Sequence, residues 1–164
     1  MSSTIKIGII TMSDRASVGE YTDKSGPLAA DLFDNFFSEK GEKPSIERII
    51  LPDSEEKLRK QLLAFAKEKH IICVSGGTGI GPRDITPDVI KPMLSKEITG
   101  IMEMIRVKYG MKFPNALLSR AIAGVIDSTL IYAIPGSPKA VKEYLKEILP
   151  TVLHSLKMLS GGAH

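Results

Sequence analysis

HIICVSGGTGIGPRDITPD, residues 70–88, passes from a short apolar strand into a glycine-rich loop and then into a helix start. Residues 70–74 are apolar and short enough to be a buried strand. The glycines at 76, 77, 79 and 81 permit close backbone approach and positive φ, and Thr86-Pro87 reads as an N-cap followed by proline at the first helical position. The spacing fits neither common phosphate motif. Pro82-Arg83 stands where a Walker loop needs Lys-Ser/Thr, and Gly77-x-Gly79-x-Gly81 is not the dinucleotide fingerprint.

The same strand, loop and helix order recurs upstream. Residues 5–11 are an apolar run, followed by the polar loop 12–26 and a helix carrying Leu28, Leu32 and Phe36 with Pro27 in its first turn. Residues 45–51 read as a strand closed by Pro52. Asp53 and Glu56 look like a capping box for a helix with Leu58, Leu62 and Phe65. Downstream, helical patterns occupy 87–94 and 99–109, and 121–126 with 129–134 suggest an antiparallel hairpin around Asp127-Ser128. Ser137 and Pro138 start a last helix whose apolar stripe runs from Val141 to Leu159. Pro150 should kink or restart it, and the tail SGGAH should fray. Three such repeats predict an α/β fold: a mostly parallel sheet with helices on both faces and a short antiparallel element. Ligands in such sheets bind beyond the carboxyl ends of the strands. Loops 12–26, 52–54, 75–86 and 135–138 leave those ends.

Composition narrows the function. The 164 residues suit one domain, 1–164, and no linker or repeat divides them. Apolar residues are 43% of the chain and charged residues 25%, a globular balance. A net charge of +3 without a basic cluster argues against nucleic-acid binding. The apolar runs are too short to span a bilayer, and the N-terminus lacks a signal-peptide pattern. One cysteine suits a reducing cytoplasm.

Asp53 and Asp84 each follow a strand end, so both project over one sheet edge. Singly, each is a helix or turn cap; together, beside a glycine loop, they are candidates for sharing Mg²⁺ with phosphate oxygens. Arg83 forks onto a phosphate or pairs with a carboxylate. Ser13, Asp14, Arg15, Asp23, Lys24 and Ser25 lie in the first loop, where exposed charge is ordinary. Ser137 is a cap or an anion site, and Cys73 belongs to a buried strand.

TMSDRASVGEYTDKSG at 11–26, LPD at 51–53, SGGTGIGPRDITPD at 75–88, LSRAIAG at 118–124 and IPGSPKAVKE at 134–143 together resemble the MogA/gephyrin G-domain family, the molybdopterin adenylyltransferases. The likeness covers nearly the whole chain in order. It implies a three-layer α/β/α fold, a homotrimer, and transfer of an adenylyl group from Mg-ATP to the terminal phosphate of molybdopterin, before handover to a molybdate-inserting protein. The family's two acidic positions fall on Asp53 and Asp84, as catalytic and metal residues. The resemblance also implies a nucleotide-phosphate cradle at Gly76, Gly77, Thr78, Gly79 and Arg83, and a molybdopterin side at Ser13, Asp14, Arg15, Ser25 and Ser137. The alternatives are a non-catalytic molybdopterin carrier of the MoaB type and a scaffold module.

Overall fold

The computed structural model describes residues 4–162. In chain order the elements are β1 (Lys6–Met12), α1 (Asp14–Ser17), α2 (Ser25–Ser38), β2 (Ser45–Leu51), α3 (Glu55–Ala66), β3 (Ile71–Ser75), α4 (Thr86–Ile90), β4 (Lys96–Glu97), α5 (Thr99–Gly110), β5 (Ile122–Ile126), β6 (Thr129–Ile134) and α6 (Pro138–Leu159). Short 3₁₀ turns cover Lys91–Met93 and Pro114–Leu118.

One six-stranded sheet has the order β2-β1-β3-β6-β5-β4. β2, β1, β3 and β6 are mutually parallel, while β5 pairs antiparallel with β6 and β4 antiparallel with β5 at the far edge. β1 beyond Lys6 and all of β3 are buried and mostly apolar because helices cover both faces. Ile7 and Ile9 face Phe33, Phe37 and the α6 stripe, whereas Ile10, Met12 and Val74 face Leu58 and Leu62. The chain leaves β1 toward β2, then crosses back to place β3 on the other side of β1. That reversal opens a crevice above the carboxyl ends of β1 and β3.

The expected layers and the hairpin are present; the local departures have identifiable causes. The polar loop after β1 contains a helical turn, α1, because the Ser13 hydroxyl accepts the Ala16 N–H at 3.1 Å. The cap of α3 is Ser54, not Asp53: the Ser54 hydroxyl accepts the Lys57 N–H at 3.4 Å. Thr86 lies one residue inside α4 and gives its hydroxyl to the Gly76 carbonyl at 2.8 Å. The helical pattern at 87–94 resolves into α4 and a 3₁₀ turn, and β4 follows it as a two-residue edge strand too short to show a period. Pro150 does not restart α6, which spans Pro138–Leu159 as one helix.

The expected frayed tail is capped instead. Gly161 adopts φ +76°, its N–H bonds the Met158 carbonyl at 3.1 Å and the Gly162 N–H bonds the Lys157 carbonyl at 3.0 Å. This is a Schellman closure of α6; Ala163 and His164 lie outside the described residues.

Leu62 is fully buried between α3 and the sheet, away from the loops. Leu62→Ala should cost about 2–5 kcal/mol, since the cavity cannot collapse under a rigid sheet. Urea unfolding with an unchanged slope would register this loss.

Candidate active site

The loop after β3 decides the chemistry of the crevice. Four consecutive carbonyls are tied back. Gly76 O accepts the Thr86 hydroxyl at 2.8 Å, Gly77 O accepts the Thr86 N–H at 3.1 Å, and Thr78 O accepts the Arg120 N–H at 2.7 Å. Gly79 O accepts Arg120 Nε at 2.8 Å. Each trans peptide points its N–H away from its C=O. Tying them therefore aims the N–H groups of Gly77, Thr78, Gly79 and Ile80 the opposite way. Among the described residues none of the four donates to a protein acceptor. A run of N–H groups without protein acceptors is what an anion-binding concavity requires.

At two of these glycines a side chain would collide with Thr86 or Asp84. Gly77 sits at φ +69°, and a Cβ there would come within 2.4 Å of Thr86 Oγ1. A Cβ on Gly79 would lie 2.6 Å from Asp84 Oδ2. Asp84 is half-buried, and its Oδ2 accepts the Gly81 N–H at 2.8 Å, closing the loop on itself.

The loops after β1 and β2 meet through a reciprocal pair. The Asp14 N–H donates to Asp53 Oδ2 at 3.2 Å, and the Asp53 N–H donates to Asp14 Oδ1 at 2.9 Å. Arg83 closes the group from the third loop, donating Nε to Asp14 Oδ2 at 3.0 Å and pairing with it through a terminal nitrogen. The backbone N–H of Asp53 and then the Arg83 guanidinium hold the Asp14 carboxyl below its ordinary value. Burial pushes the Asp53 carboxyl up, and the charges of Asp14 and Asp84 add to that rise against the Asp14 N–H and Arg83. Asp53 is thus a partly buried carboxylate in a negative field, which a cation would relieve. No cluster of three or more His, Cys, Asp and Glu that could hold a metal exists among the described residues. Two carboxylates with the remaining positions left to phosphate and water suit Mg²⁺ better than a closed protein cage.

The other expected residues divide by exposure. Ser13 and Ser137 cap α1 and α6, with the Ser137 hydroxyl accepting the Ala140 N–H at 3.2 Å. Arg15 is exposed and stacks 5.7 Å over the Tyr21 ring centroid. Ser25 is buried and gives its hydroxyl to the Gly136 carbonyl, joining the first loop to the loop before α6. Asp23 is a brace: Oδ2 accepts the Thr11 hydroxyl at 2.8 Å, and Oδ1 accepts the N–H groups of Ser25 and Gly26 at 3.0 Å each. The N-terminal donors of α2 are therefore already used. Between the glycine loop and Pro135-Gly136 lies a cavity of about 440 Å³, with Ile80, Tyr109, Leu118, Ala140 and Tyr144 in its walls.

Sequence reasoning missed Arg120 as a loop residue. It lies in the LSRAIAG stretch, more than thirty residues after the loop it holds, so no local spacing announced it.

The carboxyl shifts set opposite pH signs. Asp14 is depressed in the fold, so it stabilises above the ordinary carboxylate range and that contribution is lost as pH falls through its folded value. Asp53 is raised, so its ionisation costs stability as pH rises from the ordinary range through its folded value. Asp53→Asn keeps an oxygen for the Asp14 N–H and removes the charge. Its Tm at pH 7 should equal or exceed the parent's, with the gap closing in acid; Asp14→Asn should lower Tm at pH 7, its gap also closing in acid. Thermal unfolding from pH 3 to 8 checks both.

Residues 8–154 match the family model described as a probable molybdopterin binding domain. The chain is 38% identical over 162 residues to gephyrin of Dictyostelium discoideum, covering 94% of this chain but 22% of that protein. It is 32% identical over 161 residues to the molybdopterin adenylyltransferase of Helicobacter pylori (strain J99), covering 97% of this chain and 90% of that one. Among solved structures, the Mog protein from Mycobacterium ulcerans superposes with a TM-score of 0.85 at 32% identity, over 98% of this chain and 99% of the other. With a loop of aimed N–H groups beside two carboxylates, on a sheet shared with these proteins, the chain belongs to the molybdopterin-binding domain family of molybdenum cofactor biosynthesis.

Proposed function

We propose that the protein is a molybdopterin adenylyltransferase: it moves AMP from ATP to the terminal phosphate of molybdopterin and releases pyrophosphate. The observation that carries this reading is the run of four unspent N–H groups, Gly77 to Ile80, in the loop that also positions Asp84. A polyphosphate needs several donors converging on one place, and a nucleotidyl transfer needs its charge neutralised more than it needs a covalent nucleophile. The H. pylori relative, matched over most of its length, carries that activity in its name.

The reaction balances simply. A phosphate oxygen of molybdopterin attacks the α-phosphorus of ATP, and the bond to the β-phosphate's bridging oxygen breaks. Gly76, Gly77, Thr78 and Gly79 form the cradle that holds the phosphates. Asp53 and Asp84 would hold Mg²⁺, which supplies charge neutralisation to the phosphates. Arg83 spends Nε and a terminal N–H on Asp14, and its remaining donors face solvent for an incoming phosphate. Ser13, Asp14, Arg15, Ser25 and Ser137 belong to the two loops on the pterin side. The exposed ones contact substrate, and Ser25 holds the loops together. The 440 Å³ cavity, with aromatic and aliphatic walls, suits a flat ring system.

The setting follows from the same reading. The chain acts as one domain in the cytoplasm, where its sole cysteine stays reduced: Cys73 is buried and its thiol is pushed up to about 12. No helix among the described residues is long and apolar enough to cross a membrane. The product passes to a molybdate-inserting protein. α5 and the turn after it expose Met104, Val107, Met111, Phe113, Leu117 and Leu118, while Met102 and Ile105 fill the core. A closed homotrimer would cover this apolar surface.

Purified protein incubated with molybdopterin and Mg-ATP should release pyrophosphate and yield the adenylylated pterin. Asp84→Asn retains an acceptor for the Gly81 N–H, so it should fold normally and lose on the order of 10²–10³-fold in rate. Molybdopterin binding without pyrophosphate release by the parent protein would instead establish the carrier reading. Sedimentation equilibrium should give three times the chain mass; a monomer at every concentration would leave the α5 surface uncovered and refute the trimer.

A further inference from the structure

We propose that Arg120 is the positioning residue of the phosphate cradle, aiming the Ile80 N–H and fixing Asp84 from behind the loop without touching substrate. The proposal rests on the phosphate reading above. The side chain makes four bonds to the loop and its helix. Nε holds the Gly79 carbonyl at 2.8 Å, one terminal nitrogen holds the Asp84 carbonyl, and the other meets Asp88 Oδ1 and Oδ2 at 2.8 and 2.9 Å. Asp88, at the start of α4, thus fixes the guanidinium plane, and the plane fixes two peptides of the loop.

The consequence for each donor follows from peptide planarity. The Gly79 C=O and the Ile80 N–H belong to one peptide, so anchoring that carbonyl aims that N–H. The Gly77 and Thr78 donors depend on carbonyls held by Thr86 instead. The Gly79 donor depends on the backbone N–H of Arg120, which side-chain substitution leaves in place. The side chain therefore controls one named donor of the four, together with the residue that carries the Asp84 carboxylate. Its charge lies on the carbonyl side of these peptides and polarises them so that their N–H ends become better donors. Lysine cannot replace it, because a single ammonium lacks the planar fork that reaches both carbonyls and the carboxylate at once.

The test uses the full-length ¹⁵N-labelled protein, titrated with inorganic pyrophosphate and Mg²⁺, and Arg120→Gln beside it. In the parent protein the amide protons of Gly77, Thr78, Gly79 and Ile80 should move downfield together. In Arg120→Gln the Gly77 and Thr78 responses should persist and the Ile80 response should vanish. KM for Mg-ATP should rise about 10-fold, the scale of one charged hydrogen bond. KM for molybdopterin should stay within about 2-fold, a split that general loosening of the fold would not produce. If the Gln variant does not fold, Arg120→Lys reads the same comparison, with the Ile80 response again lost. An Ile80 response equal to the parent's, or equal rises in both KM values, overturns the proposal. If no amide of the four responds in the parent protein, the phosphate reading falls and this proposal with it.

Discussion

A trans peptide carries its C=O and N–H on opposite sides, and the stretch from Gly76 to Ile80 uses that constraint four times in succession. Thr86 and Arg120 hold the carbonyls, so the donors have only one direction left. A flexible glycine loop would otherwise lose conformational entropy each time an anion bound. Here that ordering is already made by protein–protein hydrogen bonds. The glycines let the backbone take the path, and residues elsewhere in the chain hold it there.

The neighbouring loops are joined in the same manner. Asp14 and Asp53 exchange backbone bonds, tying the carboxyl end of β1 to that of β2. Ser25 ties the first loop to the one before α6, and Arg83 reaches across to Asp14 from the glycine loop. Four loops from four parallel strands thereby act as one surface. The arrangement also concentrates negative charge: Asp53 is partly buried near Asp14 and Asp84, and its carboxyl is raised for that reason. Under the proposed function, a Mg²⁺ ion held by Asp53 and Asp84 would offset that charge where phosphate enters.

Much of this was legible in the chain alone, and for a local reason. The apolar runs at 5–11, 45–51 and 70–74, each followed by a loop and a helical stripe, are short-range patterns that burial on both faces of a parallel sheet dictates. The four glycines followed by Pro-Arg-Asp pointed to an anion loop because few other uses require so little side chain. The two aspartates stood out because each follows a strand end. Cys73 and the apolar stripes took their expected places in the core.

What only the tertiary structure decided were the partners of each polar group. Asp53 and Thr86 both fit a helix cap by spacing, yet Ser54 caps α3, and the Thr86 hydroxyl turns to Gly76. A cap is a local preference of about 1 kcal/mol, and a long-range partner of similar strength displaces it. Asp23 looked like ordinary loop charge until the fold brought Thr11 beside it. Arg120 had no local signal, because its partners lie on a loop that approaches only when β6 pairs with β3 and β5 returns beside it. Hydrophobic period is written in neighbouring residues and survives without the fold, whereas the orientation of a donor depends on an acceptor that chain folding delivers from far away.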